Sequence, residues 1–282
     1  MSLHIGKINQ LKVARKTKYG AFLESETNHR KEEDVLLPQK EVTDELNVGD
    51  LVDVFVYRDS MDRITATFKK PYGQVGELAY LKVADLTGIG AFLDWGLEKD
   101  ILLPISEQTT RVRKGNSYLV KIYIDKSKRL CCTMNIDEDL QTGAPYKAGD
   151  LVKGTIYSVN PRMGLFVAID NKYYGLVHKS ETLKNYQVGD QDSFRIIKVR
   201  EDGKIDLSTQ KLAHQQMDED AENLLYLVKQ QDGFLPINDK SDPTVIAKYM
   251  PISKNAFKRA LGKLLKEKKV VQDTKGIRLL KK

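Results

Sequence analysis

The sequence contains little cysteine and tryptophan and no long apolar run, and these shortages narrow the class of protein. Its 2 cysteines, Cys131 and Cys132, are adjacent, so they lack the spacing of a C-x-x-C metal or redox site. Adjacent positions on a strand point to opposite faces, and we expect ordinary thiols there. No apolar run approaches the roughly 20 residues of a membrane span, and the N-terminus has no signal-peptide pattern. The sequence therefore predicts a cytoplasmic protein with no membrane partner.

The motifs of the common catalytic sites are missing too. There is no P-loop, no G-x-S-x-G and no H-E-x-x-H, and the 4 histidines have no metal-ligand spacing. Gly88-Ile89-Gly90 forms half of a G-x-G-x-x-G, but Leu93 occupies the last glycine position and the segment has the pattern of a strand. We therefore expect a protein that is not an enzyme, with no catalytic residues, no metal site and no cofactor.

Basic residues, by contrast, are concentrated at one end of the chain. Residues 251–282 hold 11 lysines and arginines against 2 acidic residues, a net charge of +9, whereas the whole chain carries +7. The remaining residues therefore sum to −2. Clustered positive charge is typical of a surface that binds phosphate. If the rest of the chain binds nucleic acid, the contacts have to come from particular surfaces of each domain, because its overall charge is slightly negative.

One strand pattern occurs three times and organises the chain. Its most complete copy, residues 164–169, alternates three aliphatic side chains with Phe166 on the opposite face. The earlier copies place Phe22 and Phe92 in the same way, and each ring shares its face with a carboxylate. A core takes the aliphatic face, which leaves a large ring facing water. This pattern is typical of a platform on which nucleotide bases stack.

Each copy contains about five strands in roughly 65 residues, with one short helical insert before the fourth strand. A sheet of this size buries its apolar face by closing into a small barrel. We predict three tandem five-stranded barrels, in residues 1–70, 71–138 and 146–212. A glycine opens the second strand of each copy, where a barrel corner needs a bend or a bulge.

After the third barrel the pattern changes from strands to helices. Leucines at helical spacing predict a first helix over 218–231, Pro243 can stand in the first turn of a second, and Ser253 is a good N-cap for a third. Residues 270–280 have the pattern of a two-stranded hairpin. Three helices and a terminal hairpin predict a winged helix-turn-helix over 214–282, because a plain helical cap on the barrels leaves the hairpin unexplained. The predicted fold is mainly β with an α-rich C-terminus.

The third copy resembles an S1 domain, a barrel of the oligonucleotide-binding (OB) fold. The matching residues are G-L-F-V at 164–167, G-L-V-H-K-S-E at 175–181, V-G-D at 188–190 and K-I-D-L-S at 204–208. The first two copies match this domain less completely. Three such domains and a winged helix are similar, over nearly the whole chain, to the conserved virulence factor B family of bacterial RNA-binding regulators. The resemblance implies RNA binding that affects the expression of other genes, without catalysis.

The binding face of an S1 domain usually has two aromatic residues, a histidine on the third strand and a basic residue on the fifth. Carried onto this sequence, the resemblance implies RNA contacts by Tyr19, Phe22, Arg63, Phe92, Arg129, Phe166, His178 and Lys204. No copy is complete, since Ile89 and Met163 replace the first aromatic, and Pro38 and Pro104 replace the histidine. The third and first copies are therefore the better candidates. The alternative for the three phenylalanines is packing against a neighbouring domain.

In the winged helix, the candidate contacts are polar side chains on or near the third helix and the wing: Lys254, Asn255, Lys258, Arg259, Lys263, Lys275 and Arg278. We expect mainly single-stranded RNA at the barrels, and a duplex or structured nucleic acid at the winged helix. Winged helices also dock proteins, so a protein partner is an open alternative there. The runner-up function is a protein-interaction scaffold associated with the ribosome or the transcription machinery.

Overall fold

The computed structural model describes residues 3–24, 34–59, 61–182, 185–210 and 213–280. The chain folds as two compact units, Met1–Thr209 and Gln210–Lys282. Strands and short 3₁₀ turns form the first unit, and helices with a small sheet form the second. Within the described ranges, no helix combines the length and the apolar character needed to cross a bilayer.

Three closed barrels of five strands make up the first unit. In each barrel the first strand pairs with the second and the fourth, and the third strand runs parallel to the fifth, which closes the sheet. A 3₁₀ turn follows every third strand, where the sequence predicted a helical insert. The predicted set of three barrels is confirmed. Their strands are β1 (Lys7–Thr17), β2 (Gly20–Glu24), β3 (Val35–Pro38), β4 (Leu51–Arg58), β5 (Ile64–Thr67), β6 (Leu78–Thr87), β7 (Gly90–Asp94), β8 (Ile101–Pro104), β9 (Ser117–Ile124), β10 (Leu130–Thr133), β11 (Leu151–Asn160), β12 (Gly164–Ile169), β13 (Tyr173–His178), β14 (Gln191–Val199) and β15 (Ile205–Ser208).

Gly164 shows why a glycine opens the second strand of each barrel. Its φ is +128°, and a Cβ atom there would lie 2.0 Å from the carbonyl oxygen of Val177 on β13. Only glycine therefore lets β12 and β13 approach this closely at the corner. Gly20 and Gly90 stand at the equivalent positions of the other barrels and make the same close approach.

The alternation predicted for the second strand separates core from surface. In the third barrel Leu165, Val167 and Ile169 belong to the buried core, whereas Phe166 lies outside it. Each barrel has an apolar cluster of this kind. Burial of these aliphatic side chains drives the closure of the sheet and fixes which side chains remain on the outer face.

The first two barrels share an aromatic junction. Phe55 on β4 is buried and belongs to the apolar cluster of the second barrel. Its ring meets Trp95 edge-on, with 5.6 Å between the ring centroids, and stacks beside Tyr57 at 6.2 Å. The indole N–H of Trp95 donates to the carbonyl oxygen of Lys99 at 2.6 Å. Trp95 is therefore a contact residue between the two barrels.

The second and third barrels meet in another apolar cluster, which includes the segment that connects them. Tyr80 donates its hydroxyl hydrogen to the carbonyl oxygen of Gly189 at 2.7 Å. A Cβ on Gly189 would lie 2.4 Å from the carbonyl oxygen of Ser117, so the backbones are in close contact. The segment that connects these barrels is itself packed into this cluster through Ile136 and Leu140. The buried members of the cluster are Leu119, Ile136, Leu140, Tyr157 and Ala168.

The second unit is a winged helix, as predicted. Its helices surround one apolar core, and its sheet has the strand order β16-β18-β17. The first helix begins at Ala213, earlier than the predicted start at Asp218, and the predicted hairpin gains a third strand that is too short to leave a period-two pattern in the sequence. The elements are α1 (Ala213–Gln230), β16 (Phe234–Leu235), α2 (Pro243–Tyr249), α3 (Lys254–Lys266), β17 (Val270–Gln272) and β18 (Ile277–Leu279).

Side-chain caps fix the starts of α2 and α3. The hydroxyl of Ser253 accepts a hydrogen bond from the backbone N–H of Ala256 at 3.2 Å. The carboxylate of Asp242 accepts one from the N–H of Thr244 at 2.8 Å, with Pro243 in the first turn of α2. Each cap satisfies an N–H group that has no partner inside the helix. Both predicted starts are confirmed.

Candidate nucleic-acid interface

The outer face of the third barrel collects the aromatic and charged side chains of three adjacent strands. Strand register pairs Phe166 on β12 with Leu176 on β13, and Leu176 with Asp206 on β15. Residues two positions away lie on the same face, which brings Tyr174 and Lys204 beside this row. The barrel therefore presents two aromatic rings and a lysine on one surface.

Phe166 is half-buried rather than open to water. Its ring centroid lies 6.2 Å from that of Tyr157, in a tilted arrangement, and 6.1 Å from that of Tyr174, which it meets edge-on. It also packs against the apolar cluster at the second junction, so part of the ring serves the contact between barrels. Packing at the junction thus takes up part of the ring, and stacking stays a prediction for the part that is exposed.

Lys204 completes a groove beside Phe166. Its ammonium nitrogen lies 4.6 Å from the centroid of the Tyr174 ring, in cation–π geometry. The groove has a volume of about 280 Å³, and its other wall carries the carboxylates of Asp137 and Glu138 from the connecting segment. Aromatic faces, a cation and carboxylate acceptors are the groups that bind a base and its phosphate.

His178 stands at the end of this face in a charged cluster. Its Nε2 atom lies 3.2 Å from a carboxylate oxygen of Asp206 and 3.3 Å from Nη2 of Arg200. Arg200 also donates to both oxygens of Asp206, through Nε at 2.9 and 3.0 Å. Burial acts to raise the pKa of Asp206, but hydrogen bonding and the positive charge of Arg200 outweigh it and lower the pKa. The histidine ring is therefore oriented, and its side chain is still 46% exposed.

The registers of the three barrels support the equivalences carried over from S1 domains. Pro38, Pro104 and His178 each lie opposite the glycine that opens the second strand. Of the residues at the first aromatic position, Tyr19 is 67% exposed and Met163 is 49% exposed. The third barrel alone has a side chain at the histidine position that can donate or accept hydrogen bonds.

On the first barrel, an arginine side chain of the protein covers one face of the predicted stacking residue Phe22. The guanidinium carbon of Arg15 lies 4.3 Å from the centroid of Phe22, and Arg15 is also paired with Asp34. Arg63 donates through Nε and Nη2 to Asp59, at 2.9 and 2.7 Å. One face of Phe22 and the charge of Arg63 are thus engaged within the protein.

On the second barrel, Phe92 lines a groove at the junction with the first barrel. Asp85 stands opposite Phe92 on the neighbouring strand and is paired with Lys114 at 2.8 Å. Arg129 also lines the groove, and the described residues offer its side chain no ion pair. Cys131 lies nearby, and burial raises the pKa of its thiol to about 11, which keeps it protonated at neutral pH.

In the winged helix, α3 is divided between a buried face and an exposed one. Phe257, Ala260, Leu261 and Leu264 are buried in the core. The opposite face exposes Asn255, Lys258, Arg259, Gly262 and Lys266. This spacing of three and four residues forms one continuous stripe along the helix.

The remaining predicted winged-helix contacts differ in how far their side chains are already engaged by other groups of the protein. Lys263 is tied to Asp218 at 2.7 Å and lies 3.7 Å from Glu267; the hydrogen bond to Asp218 raises its pKa. Arg278 lies over the ring of Phe234 at 4.5 Å and 3.3 Å from Asp273. The ammonium of Lys254 donates to a backbone carbonyl at 3.3 Å, and Lys275 is exposed on the wing.

Three side chains on these faces were not predicted from the sequence. Tyr174 could have been found by strand alternation, because it lies four residues before His178 and so on the same face. Arg15 and Arg200 carry no such signal. Each reaches its partner across a strand pairing, and the pairings that place them include β-bulges in both barrels.

Comparison with protein-family models gives the class of each domain. Residues 5–69 and 75–135 match a model described as an S1 domain, and residues 145–210 match the S1 RNA binding domain. Residues 222–279 match the CvfB-like winged helix domain. The chain is thus a protein of three tandem S1-type barrels with a C-terminal winged helix, all domain types associated with nucleic-acid binding.

Whole-chain relatives identify the family. The chain is 30% identical over 262 residues to conserved virulence factor B of Staphylococcus saprophyticus, which covers 89% of this chain and 87% of the relative. It is also 30% identical over 281 residues to the uncharacterized protein YitL of Bacillus subtilis, covering 96% and 92%. The chain belongs to the conserved virulence factor B family.

A solved structure of similar fold covers nearly the whole chain. A multidomain protein with nucleic acid binding domains from Streptococcus pneumoniae has a TM-score of 0.53 and 23% sequence identity, over 98% of both chains. At this level of identity the similarity concerns the fold alone.

Proposed function

We propose that the chain binds single-stranded RNA through the outer faces of its barrels, chiefly the third, and thereby regulates gene expression after transcription in the cytoplasm. It carries out no reaction of its own in this proposal. The observation that carries it is the groove that joins Phe166, Tyr174 and Lys204, with His178 and Arg200 at the end of the same face. The S1 domain type and the family membership support the choice of RNA as ligand.

The groove suits an unpaired base better than a duplex. Base–aromatic stacking contributes about 1–3 kcal/mol per base and needs a base that is free of its own stack. Lys204 lies over Tyr174, so a phosphate that follows a stacked base would meet a positive charge. Asp137 and Glu138 provide acceptors for amino and imino groups of the base and repel the backbone from that wall.

In the same proposal the winged helix adds electrostatic affinity. The exposed stripe of α3 carries Lys258, Arg259 and Lys266 without any ion pair among the described residues, and Gly262 leaves open space at its centre. Such a stripe can approach a phosphate backbone closely. The ion pairs of Lys263 make it a weaker candidate than these three.

The experiment compares two lysines in matched positions. Lys204 lies over Tyr174 at 4.6 Å, and Lys172 lies over Tyr173 at 5.1 Å but does not line the groove. We expect Lys204→Gln to weaken binding of a labelled single-stranded RNA and to reduce the slope of log affinity against log salt by roughly 0.7. Lys172→Gln should leave both unchanged. Equal effects of the two variants would remove the groove from the proposal.

A protein-interaction scaffold is the second candidate. It is favoured by the part of Phe166 that packs at the junction between barrels and by the ion pairs that occupy Lys263 and Arg63. A scaffold would retain a protein partner and bind RNA weakly at every salt concentration. Steep salt dependence with tight binding supports the RNA proposal instead.

A further inference from the structure

A second groove, separate from the third barrel, lies between the first and second barrels. Its volume is about 420 Å³, within the range of small-molecule sites in proteins. Both barrels contribute to it, so it exists only because the junction holds them together. Its aromatic lining consists of Tyr57, Phe92 and Trp95, and its basic lining consists of Arg58, Lys99 and Arg129.

The aromatic side of this groove is rigid. Trp95 is held by Phe55 and by its hydrogen bond to Lys99, and Tyr57 stacks beside Phe55. Phe92 is half-buried on the second strand of its barrel, so one part of its ring remains available. A flat ligand would therefore meet fixed rings and pay little to order them.

The basic side of the groove contains a guanidinium group that the protein satisfies only in part. Nη1 of Arg58 donates to the carbonyl oxygen of Asp62 at 2.8 Å and lies 3.5 Å from its carboxylate. Nε is buried without an acceptor among the described residues. An unpaired buried donor is costly, and an incoming anion that engages this guanidinium would add an acceptor to the long ion pair with Asp62. Arg129 is exposed in the same groove.

The acidic residues of the groove limit where an anion can lie. Asp59 is engaged by Arg63, and Asp62 by Arg58. Asp100, unlike these two, has no ion pair among the described residues, and its pKa is raised by burial and by the nearby carboxylates of Asp94 and Asp85. A phosphate is therefore excluded from the Asp100 side, whereas a base with N–H groups is accepted there as a hydrogen-bond donor.

We propose that this groove is a nucleotide site built by two barrels, in which a base packs on Phe92 and its phosphate is held by Arg58 and Arg129. The ligand class is an aromatic base with an attached phosphate. In its main form the proposal rests on the RNA binding proposed above, because the nucleotide then belongs to the bound strand. A free mononucleotide presents the same base and phosphate and is the other ligand that this groove would accept.

Trp95 makes the site directly measurable. It is the single tryptophan of the chain, and it lines this groove. A base that enters the groove changes its fluorescence, whereas a base bound at the third barrel does not contact it. Titration of the full-length protein with a short RNA oligonucleotide, and separately with a mononucleotide such as AMP, is expected to give a saturable change with at least one of them.

Three variants locate the ligand within the groove. Arg58→Gln and Arg129→Gln should each raise the ligand concentration for half-maximal change roughly tenfold, since each removes a charged hydrogen bond. Arg113→Gln removes an exposed arginine of the second barrel that does not line the groove, and should have no effect. Arg129 is exposed, so its variant stays informative if Arg58→Gln does not fold.

The outcomes separate this site from the RNA proposal. Parallel measurements with RNA carrying its own fluorophore report total binding. Total binding with unchanged Trp95 fluorescence would overturn the groove and leave the third barrel intact. Equal titrations for the Arg129 and Arg113 variants would also overturn it. A Trp95 response to AMP without RNA binding would support the groove as a mononucleotide site and refute the RNA function.

Discussion

Replacing Phe166 by leucine separates base stacking from packing at the junction. An alanine would remove the contacts with Tyr157 and Tyr174 and loosen the cluster between the barrels. Complete loss of a buried phenylalanine costs about 3–5 kcal/mol, so a half-buried ring is worth roughly 2 kcal/mol of unfolding free energy. Leucine keeps most of the apolar volume, and swaps of this kind usually cost below about 1.5 kcal/mol.

The effect on RNA should be larger than the effect on stability. Leucine has no π-face, so a stacked base would lose about 1–2 kcal/mol, which corresponds to roughly a five- to thirtyfold weaker affinity. Fluorescence anisotropy with a labelled single strand measures the affinity, and thermal unfolding measures the stability of the same sample. Leu176→Ala, a change on the same face at a buried position, provides a control for nonspecific loosening of the barrel.

Either of two results would refute the reasoning. If Phe166→Leu binds RNA as tightly as the unmodified protein and melts at the same temperature, the ring only fills space at the junction. If it binds as weakly as Leu176→Ala after both lose the same stability, the loss reflects loosening rather than stacking.

Three further predictions follow from charge and geometry. Arg200 lowers the pKa of Asp206 below its unfolded value of about 4. The stability that the ionised Asp206 contributes is therefore present above about pH 4 and is lost as the pH falls through the folded pKa. The difference in unfolding free energy between the unmodified protein and Asp206→Asn should close in acid unfolding scans. Changing Lys258 and Arg259 together to glutamine should lower RNA affinity and flatten its salt dependence, whereas the same changes at exposed Lys229 and Lys248 should not. A long homopolymer should bind more tightly than a short one of the same base, after correction for the number of registers; equal affinities would exclude joint use of the barrels.

Much of the barrel architecture was predictable because strand alternation is a strong local signal. The aliphatic face of residues 164–169 and the glycine at its start determine both the core and the corner. The caps at Asp242 and Ser253 were visible for the same reason, since each depends on neighbours a few residues away. The strand of two residues, Phe234–Leu235, was missed because it is defined by its pairing with β18 rather than by a pattern of its own.

The surroundings of the candidate rings could not be predicted in this way. Arg15 reaches the face of Phe22, and Asp137 reaches the groove of Phe166, through pairings and junctions that sequence spacing does not encode. The same holds for the groove at Arg58, which needs two barrels in contact. Local patterns thus gave the residues that face outward, but not which of them the protein itself would cover.

The packed junctions bear on how an RNA strand would be held. Phe55 joins the first barrel to the core of the second, and the contact of Gly189 with Ser117 leaves no space for even a methyl group. Distances between the platforms are then set by packing rather than by flexible linkers. A rigid arrangement lowers the entropy lost when a second base binds, but only for strands whose length matches the fixed spacing. The gain in affinity with RNA length should therefore rise in a step once the strand spans two platforms, and a smooth rise would indicate that the barrels act independently.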